Sequence, residues 1–124
     1  MYQPNSILTY RQALTLSALL AITIGLVSLT PLAAFPLKPP GGDKVHHFLA
    51  FTTLTIWLPM QRPRDAFWLL PLAVLYGGLI ELIQPYVNRW AEWEDFLADS
   101  IGAITGTTIG LAIFLNKKQT RKNY

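Results

Sequence analysis

The sequence has no cysteine. That excludes disulfides, zinc–thiolate sites, a cysteine nucleophile and direct thiol redox chemistry, and it leaves the compartment open. Charge is scarce as well. Asp, Glu, Lys and Arg make up 14% of the 124 residues while 52% are hydrophobic, where a soluble domain carries about 25% charged residues. Mean hydropathy is +0.33. A charge deficit of this kind points to a membrane as the solvent. The length fits one compact unit, a single domain over residues 1–124. The net charge of +3 and pI of 9.4 would suit a nucleic-acid binder. The basic residues, however, sit in short runs beside apolar segments and form no stripe, so they read as topology signals and nucleic acid is not an expected partner.

The charges divide the chain into four uncharged stretches: Gln12 to Leu37, Val45 to Gln61 (opening on His46 and His47), Ala66 to Ile80, and Ser100 to Asn116. A bilayer core about 30 Å thick needs roughly 20 apolar residues as helix, with about 17 the lower limit. The first stretch exceeds this, and the others reach it once their polar ends lie at the interface. Helices are therefore expected near 10–34, 44–61, 66–85 and 94–115. They are apolar nearly all round, which in so short a chain means lipid rather than a soluble core. The fold class is all-α, a four-helix transmembrane bundle. Arg11, the apolar run and Ala33-Ala34 resemble a signal peptide, but an h-region is about 7–15 residues and this run is much longer, so it reads as a first span. Phe35-Pro36-Leu37-Lys38-Pro39-Pro40-Gly41-Gly42 excludes regular helix, Gln61-Arg62-Pro63-Arg64-Asp65 is a tight link between antiparallel neighbours, and Pro85 closes the third helix.

Arg11, Arg62, Arg64, Lys117, Lys118, Arg121 and Lys122 fall on one side of this arrangement, and Lys38, Lys44 and Arg89 on the other. The positive-inside rule makes the first side cytoplasmic, with both termini there, in a multi-pass protein of the inner (cytoplasmic) membrane. The basic tail after Asn116 can also meet anionic headgroups.

The acids are few and one-sided. Asp65 alone falls on the cytoplasmic side. Asp43, Glu81, Glu92, Glu94, Asp95 and Asp99 fall at or near the outer ends of helices two, three and four, together with His46, His47, Gln84 and Arg89. Asp43 and His47 are four apart, Glu81 and Gln84 three apart, and Asp95 and Asp99 four apart, so each pair can share a helix face. An ionisable side chain at a bilayer centre costs at least about 2.5 kcal/mol on insertion scales. Glu81 and Asp99 lie just inside their segment ends and should therefore face protein or water and have partners.

Each of these residues has a plain structural role open to it. Asp43 after Gly41-Gly42 can cap a helix, and Lys44 can snorkel. Glu81 can pair with Arg89 or Lys44. Glu94 and Asp95 suit the positive end of a helix dipole, and Trp90 and Trp93 suit an aromatic belt. Only one of His46 and His47 can face the cluster, since they point about 100° apart on a helix. Gly102, Gly106 and Gly110 make overlapping small-x-x-x-small steps that call for a close helix contact, by default within the chain.

Three elements carry a family resemblance over roughly 43–110. Asp43-Lys44-Val45-His46-His47-Phe48 resembles the D-K-x-x-H-F element of the VanZ-like family of bacterial membrane proteins. Gly78-Leu79-Ile80-Glu81-Leu82-Ile83-Gln84 resembles its G-x-x-I-E-x-x-Q element. The run from Arg89 through Glu92, Asp95 and Asp99 to Gly102 resembles R-x-x-E-x-x-D-x-x-x-N-x-x-G, with Asp99 standing where the family usually has Asn. The resemblance implies a small helical membrane protein with an outward-facing polar cluster. It favours His47 as the inward histidine and implies an envelope role, since the family's namesake is associated with resistance to the glycopeptide teicoplanin. It supplies no reaction and no cofactor.

The candidate ligand-binding residues are thus Asp43, Lys44, His47, Glu81, Gln84, Arg89, Glu92, Asp95 and Asp99. The expected partners are the lipid bilayer and either a lipid-linked envelope precursor or a membrane partner protein. The leading reading is a non-enzymatic protein that binds an envelope component. The second is a membrane hydrolase or transferase acting on a lipid-linked phosphate, with Glu81 or Asp95 as general base, His47 as acid or metal ligand, and Arg89 holding phosphate. Three or more of His47, Glu81, Asp95 and Asp99 could hold a divalent cation, although no H-x-x-x-H, G-x-S-x-G or phosphatase signature is present and no particular metal is implied. The third reading, a transporter or proton relay, is disfavoured because the acids stop at one face.

Overall fold

A computed structural model describes residues 7–31 and 42–123. The expected Pro-rich loop, with Lys38, and the Ala33-Ala34 pair lie outside the described residues. Those residues form four α-helices and no strand: α1 Tyr10–Leu29, α2 Gly42–Gln61, α3 Ala66–Ile83 and α4 Trp93–Lys122.

Local chemistry sets the ends. Thr9 opens α1 with a capping box, its hydroxyl accepting the Gln12 N–H at 3.2 Å while Gln12 Oε1 accepts the Thr9 N–H at 2.9 Å. Thr30 is extended and precedes Pro31, which disfavours helix at the residue before it. α1 therefore stops short of the expected residue 34. Pro63–Asp65 is a single 3-10 turn joining α2 to α3. α3 passes into a second 3-10 turn, Gln84–Val87, that contains Pro85. Asn88 then takes the left-handed conformation, φ 61°, and turns the chain toward α4. α4 runs seven residues past the expected 115. The expectation stopped where the apolar run stopped, yet Lys, Arg and Gln are good helix formers and their positive charge suits a helix C-terminus.

The helices run up-down-up-down. α2 packs most extensively on α4, and the glycines explain why. A Cβ on Gly102 would collide with the Phe48 carbonyl oxygen, one on Gly106 with Thr52 O and Thr55 Oγ1, and one on Gly110 with Ile56 O. The close approach lets Thr52 Oγ1 donate to Gly102 O at 3.2 Å and Thr55 Oγ1 to Ala103 O at 3.0 Å. The small-residue steps are thus spent within the chain. Phe51, Leu54, Ala73, Ile80 and Ala103 form the main buried apolar cluster. Large apolar side chains such as Leu19, Ile22, Leu72, Leu75, Leu82, Ile101 and Ile104 face outward, as a lipid solvent requires.

α1, the stretch Pro63–Val87 that contains α3, and α4 are each long and apolar enough to cross a membrane. α2 is not among them. At 20 residues it is about 30 Å long, but its first turns carry Asp43, Lys44, His46 and His47. Its neighbours shield it, so it tolerates polar residues that a lipid-facing helix would not: Thr55 and His47 are both buried.

Candidate functional site

The start of α2, the end of α3 and the start of α4 meet at one end of the bundle, and the polar residues of all three meet with them. His47 is buried beneath the first turn of α2, while His46, one residue before it, is exposed. The His47 ring lies between Asp95 and Asp99, which are one turn apart on α4. Nδ1 is 2.7 Å from Asp99 Oδ1 and Nε2 is 3.7 Å from Asp95 Oδ2. Glu81 reaches in from α3, and its Oε2 accepts the backbone N–H of Glu92 at 2.9 Å. It thereby satisfies one of the unpaired donors at the start of α4. One ligand atom each from His47, Glu81 and Asp99 lie within 4.8 Å of one another.

Gly77, four residues before Glu81 on the same face of α3, makes room for this. A Cβ there would come within 2.9 Å of Asp99 Oδ2. Lys44 closes the cluster from the exposed side, with Nζ 2.7 Å from Glu92 Oε2, 3.3 Å from Glu94 Oε2 and 3.7 Å from Asp95 Oδ1. The buried carboxyl groups of Glu81, Asp95 and Asp99 face one imidazole, that of His47, and one ammonium, that of Lys44.

Of the nine expected binding residues, five converge: Lys44, His47, Glu81, Asp95 and Asp99. Glu92 belongs to the rim through Lys44 and through its own N–H. Three do not join. Gln84 is buried but turns to α1, donating from Nε2 to Ser28 O at 3.2 Å. Arg89 donates to Thr30 O at 3.2 Å and pins the α3–α4 connection to the end of α1; it forms no ion pair with Glu81, and neither does Lys44. The salt-bridge role foreseen for Glu81 is therefore replaced by a backbone hydrogen bond. Asp43 lies within the first turn of α2 rather than before it, and is exposed. Sequence reading did not single out Gly77. Its signal was a small residue one turn before an intramembrane acid.

The opposite end of the bundle provides a contrast. Asp65 is as buried as Glu81, both at 8% exposure. Tyr10 OH donates to its Oδ2 at 2.8 Å and Trp68 Nε1 to its Oδ1 at 3.1 Å, while Arg62 stacks on the Tyr10 ring at 3.7 Å. Both oxygens of Asp65 are satisfied. Glu81 Oε1, Asp95 Oδ1 and Asp99 Oδ2 are each buried without a hydrogen-bond partner among the described residues.

An apolar groove of about 790 Å³ runs between α3 and α4. Val74, Leu79, Leu82 and Phe96 line it, and Glu81 and Glu92 stand at its polar end.

An all-helical membrane protein with a half-satisfied acidic and histidine cluster at one end is the class that this fold and site define. The VanZ/LLP1 family model matches residues 5–115, a wider span than the three motifs, and the chain belongs to that family. No curated protein and no solved structure matches it.

Proposed function

We propose that this protein is a multi-pass protein of the inner membrane with both termini cytoplasmic, whose polar cluster faces outward and binds a lipid-linked envelope component. The observation that carries the reading is the junction at Glu81. The same side chain belongs to the buried cluster of His47, Asp95 and Asp99 and to the polar end of the apolar α3–α4 groove. A hydrocarbon chain fits the groove, and a hydroxylated or phosphorylated headgroup meets the cluster. Concave apolar surface beside a few convergent polar groups is the usual form of a ligand site. The basic residues at the other end support the orientation through the positive-inside rule. Family membership supports an envelope role, including glycopeptide (teicoplanin) resistance.

A second reading, a hydrolase or transferase acting on the same ligand, is favoured by one feature. Asp99 holds the His47 ring at 2.7 Å, as a carboxylate orients an imidazole that moves protons. In that reading Glu81 or Asp95 is the base. Binding and turnover of a polyprenyl-diphosphate-linked sugar by the full chain in nanodiscs test both. The binding reading expects saturable retention of this probe over phosphatidylglycerol, and the enzymatic reading expects its conversion as well. Equal retention of the two lipids would overturn both.

A further inference from the structure

The three orphan oxygens of the cluster are the only carboxylate oxygens buried without a hydrogen-bond partner among the described residues, the other such atoms being neutral hydroxyl, amide and indole groups. They belong to Glu81, Asp95 and Asp99, which are 8%, 2% and 0% exposed. Burying a carboxyl oxygen without a hydrogen-bond donor is costly, and such groups pair or coordinate metals. A single proton serves at most two of these oxygens. A divalent cation serves ligands from α2, α3 and α4 at once.

The donor set fits one. Ligand atoms of His47, Glu81 and Asp99 are spread over at most 4.8 Å, where tetrahedral bonds of about 2.0–2.2 Å set ligands roughly 3.3–3.6 Å apart. Asp95 Oδ2 lies beside this set, 3.7 Å from His47 Nε2. Imidazole with carboxylates, and no thiolate, suits Mn²⁺ or Zn²⁺ rather than a soft ion.

We infer that His47, Glu81 and Asp99, with Asp95 beside them, bind a divalent transition-metal cation. Resting on the proposed outward lipid site, the inference extends to the ligand: the cation meets the phosphate of the lipid-linked headgroup. Without it, a phosphate would meet three acidic side chains with only Lys44 and His47 to offset them. With it, the end of the groove becomes a phosphate site.

The test uses the purified full chain, stripped with EDTA and returned to nanodiscs. Mn²⁺ binding is followed by electron paramagnetic resonance and Zn²⁺ binding by calorimetry. The expected result is one ion per chain, with affinity lowered about tenfold or more in Glu81→Gln and Asp99→Asn and unchanged in Asp65→Asn, all with wild-type circular dichroism. Neither ion binding to folded wild type would overturn the inference without any variant being needed, as would wild-type affinity in both cluster variants. The diphosphate-lipid probe is then measured with and without the ion. Retention that ignores EDTA removes the metal and leaves the lipid site. Metal binding without lipid retention removes the lipid site and the cation's role toward phosphate, and leaves the metal site itself.

Discussion

Replacing Glu81 with glutamine separates a ligand-binding carboxylate from a structural one. Oε2 accepts the Glu92 N–H at 2.9 Å, and a glutamine carbonyl can accept the same bond. A hydrogen bond to a charged group contributes about 1.5–3 kcal/mol and a neutral one about 0.5–1.5 kcal/mol, so the bond weakens by about 1 kcal/mol. Against this, the change removes one of three crowded carboxylates, whose other oxygen is buried without a partner. Relief of such a group is worth about 1–3 kcal/mol. The two effects offset, and the stability of Glu81→Gln should lie within about 1 kcal/mol of wild type. Glu81→Ala differs, because it strands the Glu92 N–H at the start of α4 and should cost about 1–3 kcal/mol. Reversible unfolding in micelles, run beside lipid-probe binding, reads both quantities. Glu81→Gln should fold normally and lose the ligand; Glu81→Ala should lose the ligand and stability together. A loss of more than about 2 kcal/mol in Glu81→Gln, or full ligand binding by it, would refute the assignment.

Gly106→Ala drives a methyl group into Thr52 O and Thr55 Oγ1 and should destabilise the protein by about 1–3 kcal/mol through overpacking, read as a lower melting temperature in detergent. Asp65→Ala strands the Tyr10 hydroxyl and Trp68 Nε1; it should cost about 1–3 kcal/mol while leaving lipid-probe binding intact, which two-readout titration checks. A reporter fused after Tyr124 should read cytoplasmic and one inserted at Asn88 periplasmic; the reverse pattern would turn the cluster inward.

The sequence was informative wherever one residue type had one physical meaning. Uncharged stretches located the helices because lipid tolerates few charges. Asp95 and Asp99 could be placed on one face because helical spacing fixes it, and Gly102, Gly106 and Gly110 marked a seam because only glycine permits that approach. The seam's partner, α2, was not legible, because a spacing pattern on one helix does not name its neighbour. That Arg89 and Gln84 turn away from the cluster was not legible for a related reason. Both sit beside the cluster in sequence, but the two 3-10 and left-handed turns after α3 send them to the carbonyl groups of Ser28 and Thr30. A linear reading has no signal for the free carbonyls at the end of α1. The length of α4 was underestimated because hydropathy marks where lipid ends, not where a helix does.

The site exists only if α3 and α4 meet in the register that sets Asp99 against Gly77. A Cβ on Gly77 would lie 3.0 Å from the Asp99 Cβ, near the separation of about 3.5–4.5 Å found in disulfides, whereas Gly78 faces Phe96. The chain has no cysteine of its own, so an introduced pair reports alone. In native membranes under mild oxidation, Gly77→Cys with Asp99→Cys should form a disulfide readily and Gly78→Cys with Asp99→Cys should not. Equal crosslinking of the two pairs, or faster crosslinking of the second, would contradict the register and remove the cluster with it.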